Sequence, residues 1–404
     1  MFESFAYAII SHLLSVFYYK MLPLEDLKIL DLTRLIPGGY ATLILADLGG
    51  EILKIEDTES GDYARWMEPA VAGYGIYFHA LNRNKKSMKL NLKTKDGKGI
   101  FKKLVENGYD VIIESFRPGV MDRLGIGYKV LREINPGVIY CAISGYGQNG
   151  PKKDKALHDI NCLAVSGILG ITGEDSPPIP GIADTSSALF SVIAILSAHI
   201  ARQKSGQGRF IDVSMTEGVI SLFSFHLLKY LVDGKMPEPG NTDFTGRFPC
   251  YGIYKTKDCK YVALAALEEK FWKNFCLVSE REDLIQKQYD ESNETKKEVE
   301  DVFKSKTRRQ WEEASEKIDL CLEPVLNPKE TTEHPQLKNR NLFFEIKHQN
   351  ERIPQVRMPF LMSRLEEAPR NLAPLWGEHT EEVLISLGID KEKIKSLKNK
   401  GVIG

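Results

Sequence analysis

An imidazole and a carboxylate, each beside a packed segment, set the chemical question in this 404-residue chain. His158 stands in Leu157-His158-Asp159-Ile160-Asn161, at the end of a long polar loop. Asp184 follows Pro180-Gly181-Ile182-Ala183 and opens an apolar helix. Such a pair can lift a proton from one face of a carbon and return one to the other. One group alone tends to put the proton back where it found it. Histidine suits the task because its ordinary pKa is about 6.5. An aspartic acid must be tuned upward by burial, and the apolar surroundings of Asp184 provide partial desolvation. Each positioned acid or base contributes about 10²–10⁴-fold. The developing oxyanion needs aimed donors, and backbone N–H groups at the helix start after Asp184 are expected to supply them, since helix N-termini favour anions. Plainer roles fit the same residues. His158 suits a turn, Asp184 suits a helix N-cap, and Asp159 either orients His158 or caps a helix, with the cap favoured.

The elements that must position these residues alternate. Residues 28–33 read as a strand, broken by Pro37-Gly38-Gly39, with a helix from Tyr40 to Leu48 and a second strand over 51–56. This is one right-handed βαβ unit. A helix over 96–107, a strand over 110–114, a helix over 118–124 and a strand over 138–143 continue the pattern. The result is a doubly wound α/β layer. No G-x-G-x-x-G follows the first strand, so the dinucleotide fingerprint is missing. Ligands of such sheets bind beyond the carboxyl ends of the strands, here residues 33–37, 114–118 and 144–151. An apolar helix over 188–202, a strand over 210–214 and a helix over 216–231 follow. The run 233–248 is rich in Gly, Pro and Thr and reads as a linker. Residues 251–266 read as two strands around Thr256-Lys257-Asp258. Charged helices over 279–317 suit a small second domain. Residues 354–374 form a Pro-bearing connection, and Thr380 is the expected N-cap of a late helix.

A net charge of −1, from 54 basic and 55 acidic residues, gives no electrostatic reason to expect nucleic acid. The six cysteines form no C-x-x-C pair, which suggests reduced thiols, a cytoplasmic setting and no metal site. Residues 1–20 are apolar but carry Glu3 and His12, lack a basic n-region and are marginal in length for a span. They are read as a docked helix or a mis-assigned upstream start rather than a membrane anchor, and no stable membrane association is expected.

Several segments together resemble the family III CoA-transferase and α-methylacyl-CoA racemase superfamily, from about Leu27 to Gly404. They are Pro37-Gly38-Gly39 through Ala46-Asp47-Leu48-Gly49; Leu81-Asn82-Arg83-Asn84-Lys85-Lys86-Ser87; Glu114-Ser115-Phe116-Arg117-Pro118-Gly119; Ser144-Gly145-Tyr146-Gly147-Gln148-Asn149-Gly150-Pro151; and Gly377-Glu378-His379-Thr380. The resemblance implies a Rossmann-like large domain over 21–213, a linker over 214–248, a small α+β domain over 249–335, a linker over 336–358, and a return to the large domain over 359–404. It implies an interlocked homodimer with the sites between chains.

Within the superfamily, transferases use an Asp resembling Asp184 as a nucleophile that forms mixed anhydrides. Racemases pair that Asp with a His resembling His158 and add a Glu resembling Glu268. His158 favours the racemase arm. So does Phe248-Pro249-Cys250-Tyr251-Gly252-Ile253-Tyr254, where Gly240, Gly246 and Gly252 are too spread for a transferase glycine loop. The implied activity is racemisation of 2-methylacyl-CoA thioesters by 1,1-proton transfer. The alternative is CoA transfer between carboxylic acids through an Asp184 anhydride, and a third reading is a silent CoA-binding protein. No cofactor beyond the CoA of the substrate is implied. Arg117 resembles the family's CoA-contacting arginine. Arg83 and Lys85, on a basic loop, and Lys54, at a strand end, are further phosphate candidates, with surface charge as the alternative. The chain departs from the pattern at Thr185-Ser186-Ser187-Ala188, where racemases carry a glycine-rich run. It also departs at Cys162, at Leu157 and at Asp57, where a racemase places an arginine near the CoA.

Overall fold

The structure, a computed structural model, describes residues 22–172, 181–363, 365 and 370–404, and the N-terminal stretch discussed above lies outside them. The described residues fall into two compact units. One is drawn from Met1–Cys162, Pro180–Leu222 and Asn339–Gly404, the other from Leu163–Ile179 and Phe223–Lys338.

The first unit is built on six parallel strands. It runs β1 (Lys28–Leu32), α1 (Leu35–Asp47), β2 (Glu51–Glu56), α2 (Ile76–Asn82), β3 (Lys85–Lys89), α3 (Lys95–Glu106), β4 (Val111–Glu114) and β5 (Ile139–Ser144). It continues with the first turn of α4 (Asp159–Ser166), whose residues from Leu163 belong to the other unit, then α5 (Ile182–Ser205), β6 (Phe210–Ser214) and α6 (Met215–Leu222). The strand order is β3-β2-β1-β4-β5-β6, with every pair parallel. Ile29, Leu30, Val111, Ile112 and Ile113 are fully buried, as expected when helices cover both faces of a parallel sheet. The order reverses between β1 and β4, and that reversal opens a crevice at the carboxyl ends of these strands. This is the doubly wound α/β class expected. Helix α5 has the length and hydropathy of a membrane span, but half of its apolar window is buried, and it packs on α1 and β5 as a core helix does.

Three local expectations are corrected. Pro37-Gly38-Gly39 lies inside α1 rather than before it. Pro37 is tolerated because N–H groups of the first helical turn have no intrahelical partner. Gly38 is there for close approach, since a Cβ on it would lie 2.1 Å from the Thr33 methyl. The stretch 83–86 is not an open loop, because Lys85 begins β3, paired in register with Ile52 of β2. The late Pro-bearing segment begins with the last three residues of a hairpin strand, described below.

In the second unit, α7 (Ser224–Asp233) precedes an antiparallel sheet of β7 (Tyr251–Lys255), β8 (Tyr261–Ala265) and β9 (Leu322–Pro324), ordered β9-β8-β7. Helices α8 (Glu269–Val278), α9 (Asn293–Lys304) and α10 (Arg308–Lys317) cover it. Their surfaces are charged, but Trp272, Phe275, Phe303 and Trp311 are fully buried. The rings of Phe275 and Phe303 stack at 5.1 Å. The charged run therefore carries more apolar anchors than its composition suggests.

The chain then returns to the first unit through the hairpin of β10 (Phe343–His348) and β11 (Glu351–Val356). Helices α11 (Thr380–Ser386) and α12 (Lys391–Asn399) follow. Val383, Leu384, Ile394 and Leu397 join Leu30, Leu53, Met88 and Phe101 in the main core. Thr380 begins α11, one residue inside the cap position expected for it.

Candidate active site

A cavity of about 520 Å³ opens at the carboxyl ends of β1, β4 and β5. Its walls come from the start of α1 (Arg34 to Pro37), the turn 115–118, Ser144 and Gly145 after β5, and the loop ending at His158. Leu35, Ile36, Met67, Tyr77 and Leu81 make one side apolar. Arg117, Lys153 and Lys155 make the rim cationic. His158 and Asp184 both line this cavity.

The local sequence explains how the histidine is presented. Leu157 packs on Gly145, where an added Cβ would sit 2.1 Å from the leucine methyl. This clamps the far end of the polar loop to the end of β5. His158 donates its backbone N–H to Asn161 Oδ1 at 2.9 Å, and Asn161 N–H donates to the His158 carbonyl at 2.9 Å. The backbone of His158 is thereby fixed and its exposed ring is left to face the cavity.

Asp159 settles its own two readings by capping. Its carboxylate accepts the N–H groups of Gly181 at 2.9 Å, Ala183 at 2.7 Å and Asp184 at 3.4 Å. An anion on the orphan donors of a helix start is favourable. These three donors are therefore engaged, and the next N–H group, that of Thr185, donates to the Gly181 carbonyl at 2.9 Å. Asp184 lies in the first turn of α5, and its carboxylate accepts no hydrogen bond from the described residues. Burial pushes its carboxyl up, to about 6. The Asp159 charge adds to the rise and the His158 imidazole opposes it. The acid is thus poised close to neutrality, where proton exchange in both directions is easiest.

The other expected residues separate. Arg117 is exposed on the rim, on the turn after β4. Lys54 and Lys85 are elsewhere, with side chains fully out of solvent. Lys54 Nζ lies 2.9 Å from Asp62 and donates to the Thr33 carbonyl at 2.8 Å. Lys85 Nζ donates to Thr42 at 2.7 Å and Asn82 at 2.9 Å, and lies 3.4 Å from Asp31. Burial pulls the Lys85 ammonium down to about 8. Burial alone would raise the Asp31 carboxyl, but Lys54, Lys85 and two threonine hydroxyls hold it below the usual range. Arg83 is buried too, with Nη2 2.5 Å from Asp47 and Nη1 2.8 Å from Gln355. These three cations are corrected from phosphate ligands to internal ion partners, because strand and helix-end positions turn them inward. Glu268 belongs to the second unit, where it is exposed at the start of α8.

Arg34, Lys153 and Lys155 escaped the sequence reading. The signal for the lysines was available, since both lie on the polar loop that ends at His158. Arg34 gave a weaker one, a cation immediately after the first strand.

The model of CoA-transferase family III matches residues 24–380. The chain belongs to CoA-transferase family III. Its relatives in the family carry two kinds of name. It is 33% identical over 398 residues to the succinyl-CoA:glutarate CoA-transferase of Homo sapiens, covering 94% of this chain and 90% of that protein. It is 34% identical over 393 residues to the alpha-methylacyl-CoA racemase of Mus musculus, covering 94% and 97%. A solved structure, that of a CAIB/BAIF family protein from Brucella suis, superposes with a TM-score of 0.77 at 29% identity, covering 90% of this chain and 99% of that one. The chain is thus a family III enzyme, a racemase or a CoA-transferase.

Proposed function

We propose that the protein racemises 2-methylacyl-CoA thioesters by 1,1-proton transfer. The observation that carries this reading is that His158 and Asp184 line one cavity with the Asp184 carboxyl raised to about 6. One group removes the Cα proton next to the thioester carbonyl, leaving an enolate. The other, on the opposite side, delivers a proton, and the reverse reaction exchanges their roles. Arg117, Lys153 and Lys155 supply positive charge for the CoA phosphates, and the apolar wall from Leu35 to Leu81 receives the acyl chain.

The acting species is proposed to be a homodimer. Leu189, Ile193 and Ile200 of α5 are 47%, 58% and 56% exposed, an apolar stripe suited to a second copy. The six unpaired thiols suit a reducing, cytoplasmic compartment.

A second reading is CoA transfer with Asp184 as nucleophile. It is favoured by its carboxylate, which no described residue engages, and by the relatives named for that reaction. Incubation of a single 2-methylacyl-CoA enantiomer in D₂O separates the two. Racemisation gives deuterium at Cα and loss of optical purity, and His158→Ala slows both by about 10²-fold or more. Hydroxylamine trapping of an Asp184 acyl adduct without exchange at Cα rejects the racemase.

A further inference from the structure

Arg34, the residue before α1, lines the active-site cavity and also a second cavity of about 390 Å³ walled by Leu32, Ile55, Leu90, Leu92 and Val120. Phe116 is the other residue that borders both. Arg34 therefore stands on the border between them. Among the described residues its guanidinium meets Asp57 and Tyr63. Nη2 lies 2.5 Å from Asp57 Oδ2, Nη1 donates to the Tyr63 hydroxyl at 2.8 Å, and the group sits 4.9 Å from the Tyr63 ring centre. Both charged side chains are one-third exposed, and ion pairs in such positions hold weakly.

Asp57 does not depend on this partner. Its other oxygen accepts N–H groups from Glu59 at 2.9 Å, Ser60 at 2.8 Å and Gly61 at 3.3 Å. Burial would raise its carboxyl, but those donors, with Arg34, hold it below the usual range. The carboxylate thus stays satisfied when the arginine leaves. A guanidinium binds phosphate oxygens through two parallel hydrogen bonds, a stronger contact than the exposed pair it would give up.

We propose that Arg34 is parked on Asp57 and transfers to the diphosphate of CoA where the ligand passes from one cavity to the other. The inference rests on the acyl-CoA reading of the site and adds a binding residue to it.

Calorimetric binding of CoA, 3′-dephospho-CoA and pantetheine to the wild type, Arg34→Gln and Asp57→Asn tests it without turnover. Arg34→Gln is expected to weaken CoA and dephospho-CoA about tenfold, the loss of one charge-assisted contact, to leave pantetheine unchanged and to keep the wild-type melting temperature. Asp57→Asn is expected to tighten CoA or leave it unaltered, because the arginine is freed. An unchanged CoA affinity in Arg34→Gln, or an equal loss with pantetheine, overturns the inference. Loss of the effect with dephospho-CoA overturns the diphosphate assignment in favour of the 3′-phosphate. Weakening by Asp57→Asn as large as by Arg34→Gln overturns the parked pair, which would then be a fixed strut. A wild type that binds no CoA overturns this inference together with the acyl-CoA reading. Binding as expected without exchange at Cα counts against racemisation alone.

Discussion

Beneath the end of β1 and around the mouth of the cavity, the same residue types have opposite fates. Below, Lys54, Lys85, Asp31 and Asp62 are dehydrated and each is committed to the others. Above, Arg117, Lys153 and Lys155 reach solvent, and none of them has a carboxylate partner within 4.0 Å among the described residues. Asp31, Lys54 and Lys85 sit on strands and Asp62 on a buried loop, where a charge must be matched internally or the fold loses stability. The upper set sits on turns with Pro and Gly, where a charge costs little and stays available. Position on an element, rather than residue type, decides which cation belongs to the scaffold and which stays open at the cavity mouth.

The largest test of this contrast is Lys54→Met. It leaves Asp31 and Asp62 facing each other without their shared cation, and is expected to cost about 3–5 kcal/mol in denaturant unfolding. A loss below about 1 kcal/mol would place the cluster with ordinary surface charge.

Next in size is the anion that joins the two candidate catalytic segments. Asp159→Asn weakens the α5 cap and is expected to cost about 1 kcal/mol. It also removes a like charge beside Asp184, so that carboxyl falls from about 6. The racemase then shows a bell-shaped pH profile with one limb near 6 in the wild type, displaced to lower pH in the variant. A transferase shows a single rise through the same region, since it needs only ionised Asp184. Stability changes in the matching sense. A raised carboxyl pKa means that the native state holds its proton longer than the unfolded chain, so stability falls as pH rises between the ordinary carboxylate range and about 6. Asp184→Asn should flatten that fall, as read by melting temperature against pH.

The smallest change in stability is expected at the rim. Lys153→Gln with Lys155→Gln should alter stability by less than about 0.5 kcal/mol, raise KM for an acyl-CoA a few-fold and reduce the salt dependence of KM. A melting temperature that drops as far as in Lys54→Met would erase the distinction between the two regions.

The layered fold was legible because buried parallel strands are written as continuous apolar runs, and 28–33, 51–56 and 110–114 each announced one. Strand β3 was not, because Lys85-Lys86-Ser87-Met88-Lys89 reads as polar, and only the network around Asp31 shows why a lysine can be buried there. The helix start at Leu35 was masked by a proline and two glycines that serve close packing. The shared cavity of His158 and Asp184 was suggested by residue type and by family resemblance. Their common anchor in Asp159 required coordinates, since residues 159 and 181–184 are distant in sequence. The roles given to Lys54, Lys85 and Arg83 failed because composition records charge and not the direction in which a side chain points.

Asp159 ties the turn that carries the imidazole directly to the helix that carries the carboxyl group. Everything between Tyr146 and Ala156 hangs outside that tie. Insertions, deletions or recharging of this stretch can therefore reshape what enters the cavity while the tie between the His158 turn and α5 persists. The entrance can thus be remade without moving the segments that carry His158 and Asp184.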